Sequence, residues 1–171
     1  MAGGNHFEIE RKLLIRFPDT ASLAAQPKCA VWRIAQTYLV SEEPGLTRRV
    51  RRIEENGRIS CYRTFKRRLT ALRCIEDEAE ITPEEYERYL KEADPESRTI
   101  EKTRYRIPFE GHTLEIDVYP FWSDRAILEV ELEAETEKAA LPDYIEIIRD
   151  VTADPAYKNW ALAKHIPTEE I

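Results

Sequence analysis

Residues 7 to 16, FEIERKLLIR, alternate two kinds of side chain: Glu8, Glu10 and Lys12 fall on one set of positions, and Phe7, Ile9, Arg11 and Leu13 on the other. Successive strand side chains point to opposite faces, so this period of two predicts a half-buried strand. The same kind of segment returns at 30–40, 46–55, 58–67, 72–81, 97–109, 112–119 and 125–135. Asn56-Gly57 and Glu110-Gly111 mark tight turns between neighbours. Residues 18–26 allow only a short helix before Pro27. Thr82-Pro83-Glu84-Glu85 reads as an N-cap, a proline in the first turn and a capping box, opening a helix that buries Tyr86, Tyr89 and Leu90. In the tail, Tyr144, Ile147, Ile148 and Val151 stand at helical spacing, and Asp154-Pro155 breaks the run before AYKNWALAKHI, so a helical tail is expected. The fold class that follows is α+β, an eight-stranded antiparallel barrel with helices outside, since an even number of strands can close and leave no bare edge. No repeat, linker or low-complexity tract divides residues 1–171, and a single domain is expected.

The polar face of these strands is almost purely ionic. Arg49 and Arg51 flank Val50; Glu78 and Glu80 flank Ala79; Lys102, Arg104 and Arg106 alternate with Thr103, Tyr105 and Ile107. Glu115 and Asp117 alternate with Leu114, Ile116 and Val118, and Glu129, Glu131 and Glu133 with Leu128, Val130 and Leu132. Two arrangements satisfy this pattern. In one, the apolar face closes on itself and the charges meet water, where cross-strand pairs contribute about 0.2–1 kcal/mol each. In the other, helices cover an apolar outer wall and the charges line a wet interior. Unpaired dry charges would cost several kcal/mol each there, so such an interior must hold water, ions and ligand. The patterning alone leaves both open.

Composition narrows the partners. Charged residues make up 35% of the 171-residue chain, and the net charge is −7, against a charged share of roughly 25% in an average domain. This excludes general nucleic-acid binding, while 26 Lys and Arg leave material for a local anionic site. No apolar run long enough to span a membrane occurs, and MAGGNHFEIE lacks the apolar core of a signal peptide, so a cytoplasmic protein without a membrane segment is expected, as a monomer or homodimer. Cys29, Cys61 and Cys74 lack metal-ligand spacing and read as packing thiols; His6, His112 and His165 show no metal-binding arrangement. If the ionic faces turn inward, Lys12, Arg49, Arg51, Lys66, Lys102 and Arg104 are phosphate ligands by chemistry. Carboxylates repel phosphate but hold Mg²⁺ or Mn²⁺, hard cations that bridge to phosphate oxygens. Mixed in one cavity, the two sets suit a polyphosphate bound with divalent metal.

At this point the chain resembles the CYTH, or triphosphate tunnel metalloenzyme, family. Glu8-x-Glu10-x-Lys12 is similar to its ExExK signature, and further stations follow in order: QTYL with Tyr38, RVR at 49–51, YRTFK ending at Lys66, EAEI with Glu78 and Glu80, KTRY with Lys102 and Arg104, EIDVY, and EVE at 129–131. QTYL departs from the family, in which a glycine often precedes the tyrosine. The resemblance implies a tunnel with the charges inward and metal-dependent hydrolysis or rearrangement of a triphosphate. Carried over, it implies metal binding by Glu8, Glu10, Glu78, Glu80, Glu115, Asp117, Glu129 and Glu131, phosphate binding by the six bases, and a hydrogen-bonded proton-transfer dyad of Lys12 and Tyr38. Inorganic triphosphate is the expected substrate. The alternatives are a cyclase acting on a nucleoside triphosphate, ATP, and a polyphosphate-binding module. Trp122 and Trp160 are read as core or wall residues, a loop aromatic being suited to stacking on a nucleobase.

Overall fold

The computed structural model describes residues 4–171, and the side chains from residue 6 onward. Eight strands form the barrel: β1 (Gly4–Arg16), β2 (Ala30–Tyr38), β3 (Leu46–Glu55), β4 (Arg58–Arg68), β5 (Arg73–Ile81), β6 (Ile100–Phe109), β7 (His112–Val118) and β8 (Arg125–Leu132). They run antiparallel in the order β5-β4-β3-β2-β6-β7-β8-β1, and pairing of β1 with β5 closes the ring. Two hairpins turn where expected: Asn56 and Gly57 have φ of 51° and 80°, Glu110 and Gly111 φ of 44° and 82°. Both central residues at positive φ give the turn whose twist matches the strands.

The charged faces point inward. Ile9, Leu13, Ile15, Ile107, Leu114, Ile116, Leu128 and Val130 form the outer apolar wall on one side, covered by Leu23 of α1 (Thr20–Ala24), Leu141 and Ile145. On the other side, Val50 and Cys61 pack under Tyr86, Tyr89 and Leu90 of α2 (Pro83–Leu90). Thr82 and Glu85 complete the capping box that starts this helix. The largest outer face is thus covered mainly by irregular chain rather than by helices.

The tail corrects the helical expectation. Ile147–Asp150 is a ninth strand, β9, paired with Leu13–Ile15 of β1, and Tyr144 is exposed. Beyond it lie a 3-10 turn at Pro155–Tyr157 and one helical turn, α3 (Asn159–Leu162). The Ile-Ile pair is β-branched and suits a strand, and β1 has a free edge where β5 ends. The tail does not pad the wall. Val151, Tyr157 and Leu162 join Leu14, Tyr38, Ile100, Tyr119, Trp122 and Ile127 in an apolar plug at one end of the barrel. Among the described residues no helix is long and apolar enough to cross a membrane.

Candidate active site

Strand register sets acids against bases at four positions and acid against acid at a fifth. Lys12 lies opposite Glu129, Lys66 opposite Glu76, Arg104 opposite Asp117 and Arg106 opposite Glu115, whereas Glu10 lies opposite Glu131. The interior is a cavity of about 560 Å³ above the plug. Around it, Lys66 Nζ sits 2.9 Å from both Glu8 and Glu76, Arg51 3.1 Å from Glu78, and Lys12 Nζ 3.1 Å from Glu129. Arg104 reaches Glu115 at 3.1 Å and Glu129 at 3.2 Å. The Arg51–Glu78 pair borders a second space of about 340 Å³, lined by Trp32, Arg58, Tyr62 and Glu80.

Electrostatics divide the cavity. Burial works against charge on Arg49, but Tyr38, Glu76 and Glu78 outweigh it and hold the guanidinium charged. Burial opposes ionisation of Glu129 as well, yet Lys12, Arg104 and Lys102 keep its carboxyl well below the usual range. For Glu10 the support of Lys66 and Lys12 is outweighed. Burial, with Glu129 and Glu8 close by, pushes its carboxyl up to about 8. Glu131, exposed at the cavity rim, is raised too, by partial desolvation and by Glu8 and Glu115. Lys158, which follows the plug residue Tyr157, is pushed down to about 8 by burial beside Lys12 and Arg68.

The structure brings Glu8, Glu10, Lys12, Tyr38, Arg49, Arg51, Lys66, Glu78, Arg104, Glu115, Glu129 and Glu131 to one cavity wall. Three expected residues stand apart. Glu80 is exposed at the second opening. Asp117 is fully buried, its oxygens taken by Arg104 at 2.7 and 2.8 Å and by Lys102 at 2.8 Å, and Lys102 spends its ammonium there. The Lys12–Tyr38 hydrogen bond is not formed: the Tyr38 hydroxyl accepts from Gln36 Nε2 at 2.7 Å, and the Lys12 ammonium turns to Glu129 and to the Tyr157 carbonyl, 3.3 Å away. Sequence reasoning missed Glu76, Arg68 and Lys158. Glu76 was within reach of the pattern, because period two carried back from Glu80 and Glu78 lands on it. Lys158 has no local signal; only the reversal of the tail over the barrel end places it.

A divalent metal fits this donor set. The acids Glu8 and Glu10 on β1 and Glu129 and Glu131 on β8 supply carboxylate oxygens, as a hard cation requires, and Glu10 and Glu131 are raised by desolvation and by neighbouring acids, a penalty that a bound cation would relieve. The buried Glu129 Oε1 faces only the Lys12 ammonium, 3.1 Å away. Among the described residues no three such side chains converge into a ready-made metal cluster, since Glu8 and Glu129 are turned toward Lys66 and Lys12.

A closed antiparallel barrel with an interior of paired acids and bases defines an anion-binding tunnel protein. No family profile matches the chain. It is 34% identical over 159 residues to the inorganic triphosphatase of Acetivibrio thermocellus, covering 92% of this chain and 94% of that one. A solved structure of the inorganic triphosphatase NE1496 superposes with a TM-score of 0.57 at 28% identity, covering 94% and 97% of the two chains. The fold extends to the Hippeastrum protein HpAC1, described as having a dominant triphosphatase activity, at TM-score 0.52, 17% identity and coverage of 74% and 80%. The chain belongs to the CYTH, or triphosphate tunnel metalloenzyme, family.

Proposed function

We propose that the protein hydrolyses inorganic triphosphate to diphosphate and orthophosphate with Mg²⁺ or Mn²⁺. The observation that carries this reading is that one cavity wall holds Arg49, Arg51, Lys66 and Arg104 together with Glu10 and Glu131, whose carboxyls are raised by desolvation and by neighbouring acids. The relative named inorganic triphosphatase supports it. The bases hold the phosphate chain: Arg49 and Arg51 keep Nε–H groups without a protein partner, whereas Arg104, held by Asp117, Glu115 and Glu129, supplies positive charge. A metal held by Glu10 and Glu131, with Glu8 and Glu129 near, would neutralise charge on phosphate oxygens as a Lewis acid. Water adds to the terminal phosphorus and gives up a proton to the solvent, the bridging P–O bond breaks, and diphosphate departs with the electron pair, so no protein nucleophile is needed. Lys12, held against Glu129, places positive charge where negative charge grows on the phosphoryl oxygens.

Trp160, half-exposed on the same cavity wall, offers a stacking surface and so favours a nucleoside triphosphate as the second reading. Incubation with inorganic triphosphate and with ATP, followed by phosphorus NMR, separates the two. Orthophosphate and diphosphate from inorganic triphosphate support the proposal; cyclic nucleotide from ATP, with inorganic triphosphate untouched, refutes it.

A further inference from the structure

One edge of β1 changes partner at Lys12. From Gly4 to Ile9 that edge pairs with β5, and from Leu13 to Ile15 with β9, while β8 runs along the other edge. In the gap, the main chain of Lys12 is held by the segment that leaves β9. Its N–H donates to Thr152 Oγ1 at 3.0 Å, and its carbonyl accepts from Thr152 Oγ1 at 3.2 Å and from the Val151 N–H at 3.0 Å. The same segment meets the side chain, since the Lys12 ammonium donates to the Tyr157 carbonyl at 3.3 Å. Residues 151–157 therefore grip Lys12 at both ends.

Thr152 is buried, and its own N–H is fixed by Asp150 Oδ1 at 2.8 Å. The far end of the segment is tied down by Glu169, which takes the Tyr157 hydroxyl and, at 2.7 Å, Arg149. Arg125 bonds both the Glu169 carbonyl and the Tyr157 hydroxyl, and the Trp122 indole donates to Pro167 at 3.2 Å. The latch does not involve Arg49, Arg51 or Arg104; its link to a cavity base is the Thr152 main-chain carbonyl, which accepts from Lys158 Nζ at 2.6 Å and which a change of the Thr152 side chain leaves in place.

We propose that Thr152 is a positioning residue for Lys12, and that the C-terminal latch around Glu169 fixes the segment so that the Lys12 ammonium stays over the reacting phosphate. The inference rests on the triphosphatase reading. Its physical basis is that a reacting group misplaced by about 1 Å loses on the order of 10²-fold in rate. Substrate binding by the arginines is untouched, so the effect falls on kcat.

The test is steady-state hydrolysis of inorganic triphosphate at saturating Mg²⁺ by wild type, Thr152→Val, Thr152→Ser and Glu169→Gln, with Tm measured for each. Valine keeps the shape and removes the hydroxyl; serine keeps the hydroxyl. Thr152→Val should lower kcat at least about tenfold with KM within about twofold, and Thr152→Ser should recover kcat to within about threefold of wild type. A lower Tm with wild-type kcat for Thr152→Val, or a serine variant as slow as the valine one, overturns the proposal. If the valine variant does not fold, Glu169→Gln decides: kcat reduced about threefold or more at unchanged KM supports the latch, and wild-type kcat overturns it. A wild-type protein without turnover sinks the triphosphatase reading itself, an outcome distinct from active wild type with equally active variants.

Discussion

Replacing Glu10 by Gln should make the metal-free protein more stable while ending its metal-dependent turnover. In the folded chain the Glu10 carboxyl titrates at about 8 rather than 4.5, through burial and the neighbouring Glu129 and Glu8. Between those values the native state keeps a proton that the unfolded chain releases, so metal-free stability falls as pH rises from about 5 to 8. At about 1.36 kcal/mol per pH unit, the penalty at pH 7.5 is on the order of 4 kcal/mol, and water in the cavity screens it toward about 2. Glutamine has no proton to lose and escapes it. Thermal melts in a chelator should therefore nearly coincide at pH 5, with Glu10→Gln melting roughly 4–8 °C above wild type at pH 8. Adding Mg²⁺ should raise the wild-type Tm at pH 8 and raise that of the variant far less. A variant no more stable than wild type at pH 8, or an advantage that does not grow with pH, refutes the argument that burial and its acidic neighbours penalise the Glu10 carboxylate.

Lys158 loses its proton above about pH 8, taking one positive charge from the cavity, so KM for inorganic triphosphate should rise from pH 8 to 9.5 in wild type and stay flat in Lys158→Met; parallel profiles would exclude it from substrate binding. Tyr38→Phe should keep kcat within about threefold, because its hydroxyl serves Gln36 rather than Lys12; a loss of a hundredfold in steady-state kinetics would restore the dyad. Trp122→Ala should cost about 3–5 kcal/mol by urea denaturation, since its ring packs within 6 Å of Tyr119, Phe121 and Tyr157 in the plug; a loss below about 1 kcal/mol would mean that the plug carries little of the core's stability.

The barrel was legible because its signals are local. Period-two alternation and two positive-φ turns fix strand after strand, and Glu8, Glu10 and Lys12 had only to be assigned to the inner or outer face. The plug had a weaker trace: in Leu13-Leu14-Ile15 and Ala126-Ile127-Leu128 both faces turn apolar, as buried strands do. Three features were not local. β9 exists because β5 leaves β1 before Leu13, and no periodicity in 143–151 records that vacancy. Asp117 carries the same charge and spacing as Glu115, but it lies one pair deeper, where Arg104 and Lys102 close over it. Lys158 faces the cavity only because the tail turns back across the barrel end.

The most direct measurement of the central claim is orthophosphate release from inorganic triphosphate with Mg²⁺ by wild type, Glu131→Gln and Arg63→Gln, assayed side by side. Glu131 lines the cavity, whereas Arg63 pairs with Asp77 at 3.3 Å on the outer wall. The account predicts turnover by wild type and Arg63→Gln and its loss in Glu131→Gln; full activity in Glu131→Gln, or none in wild type, would contradict it.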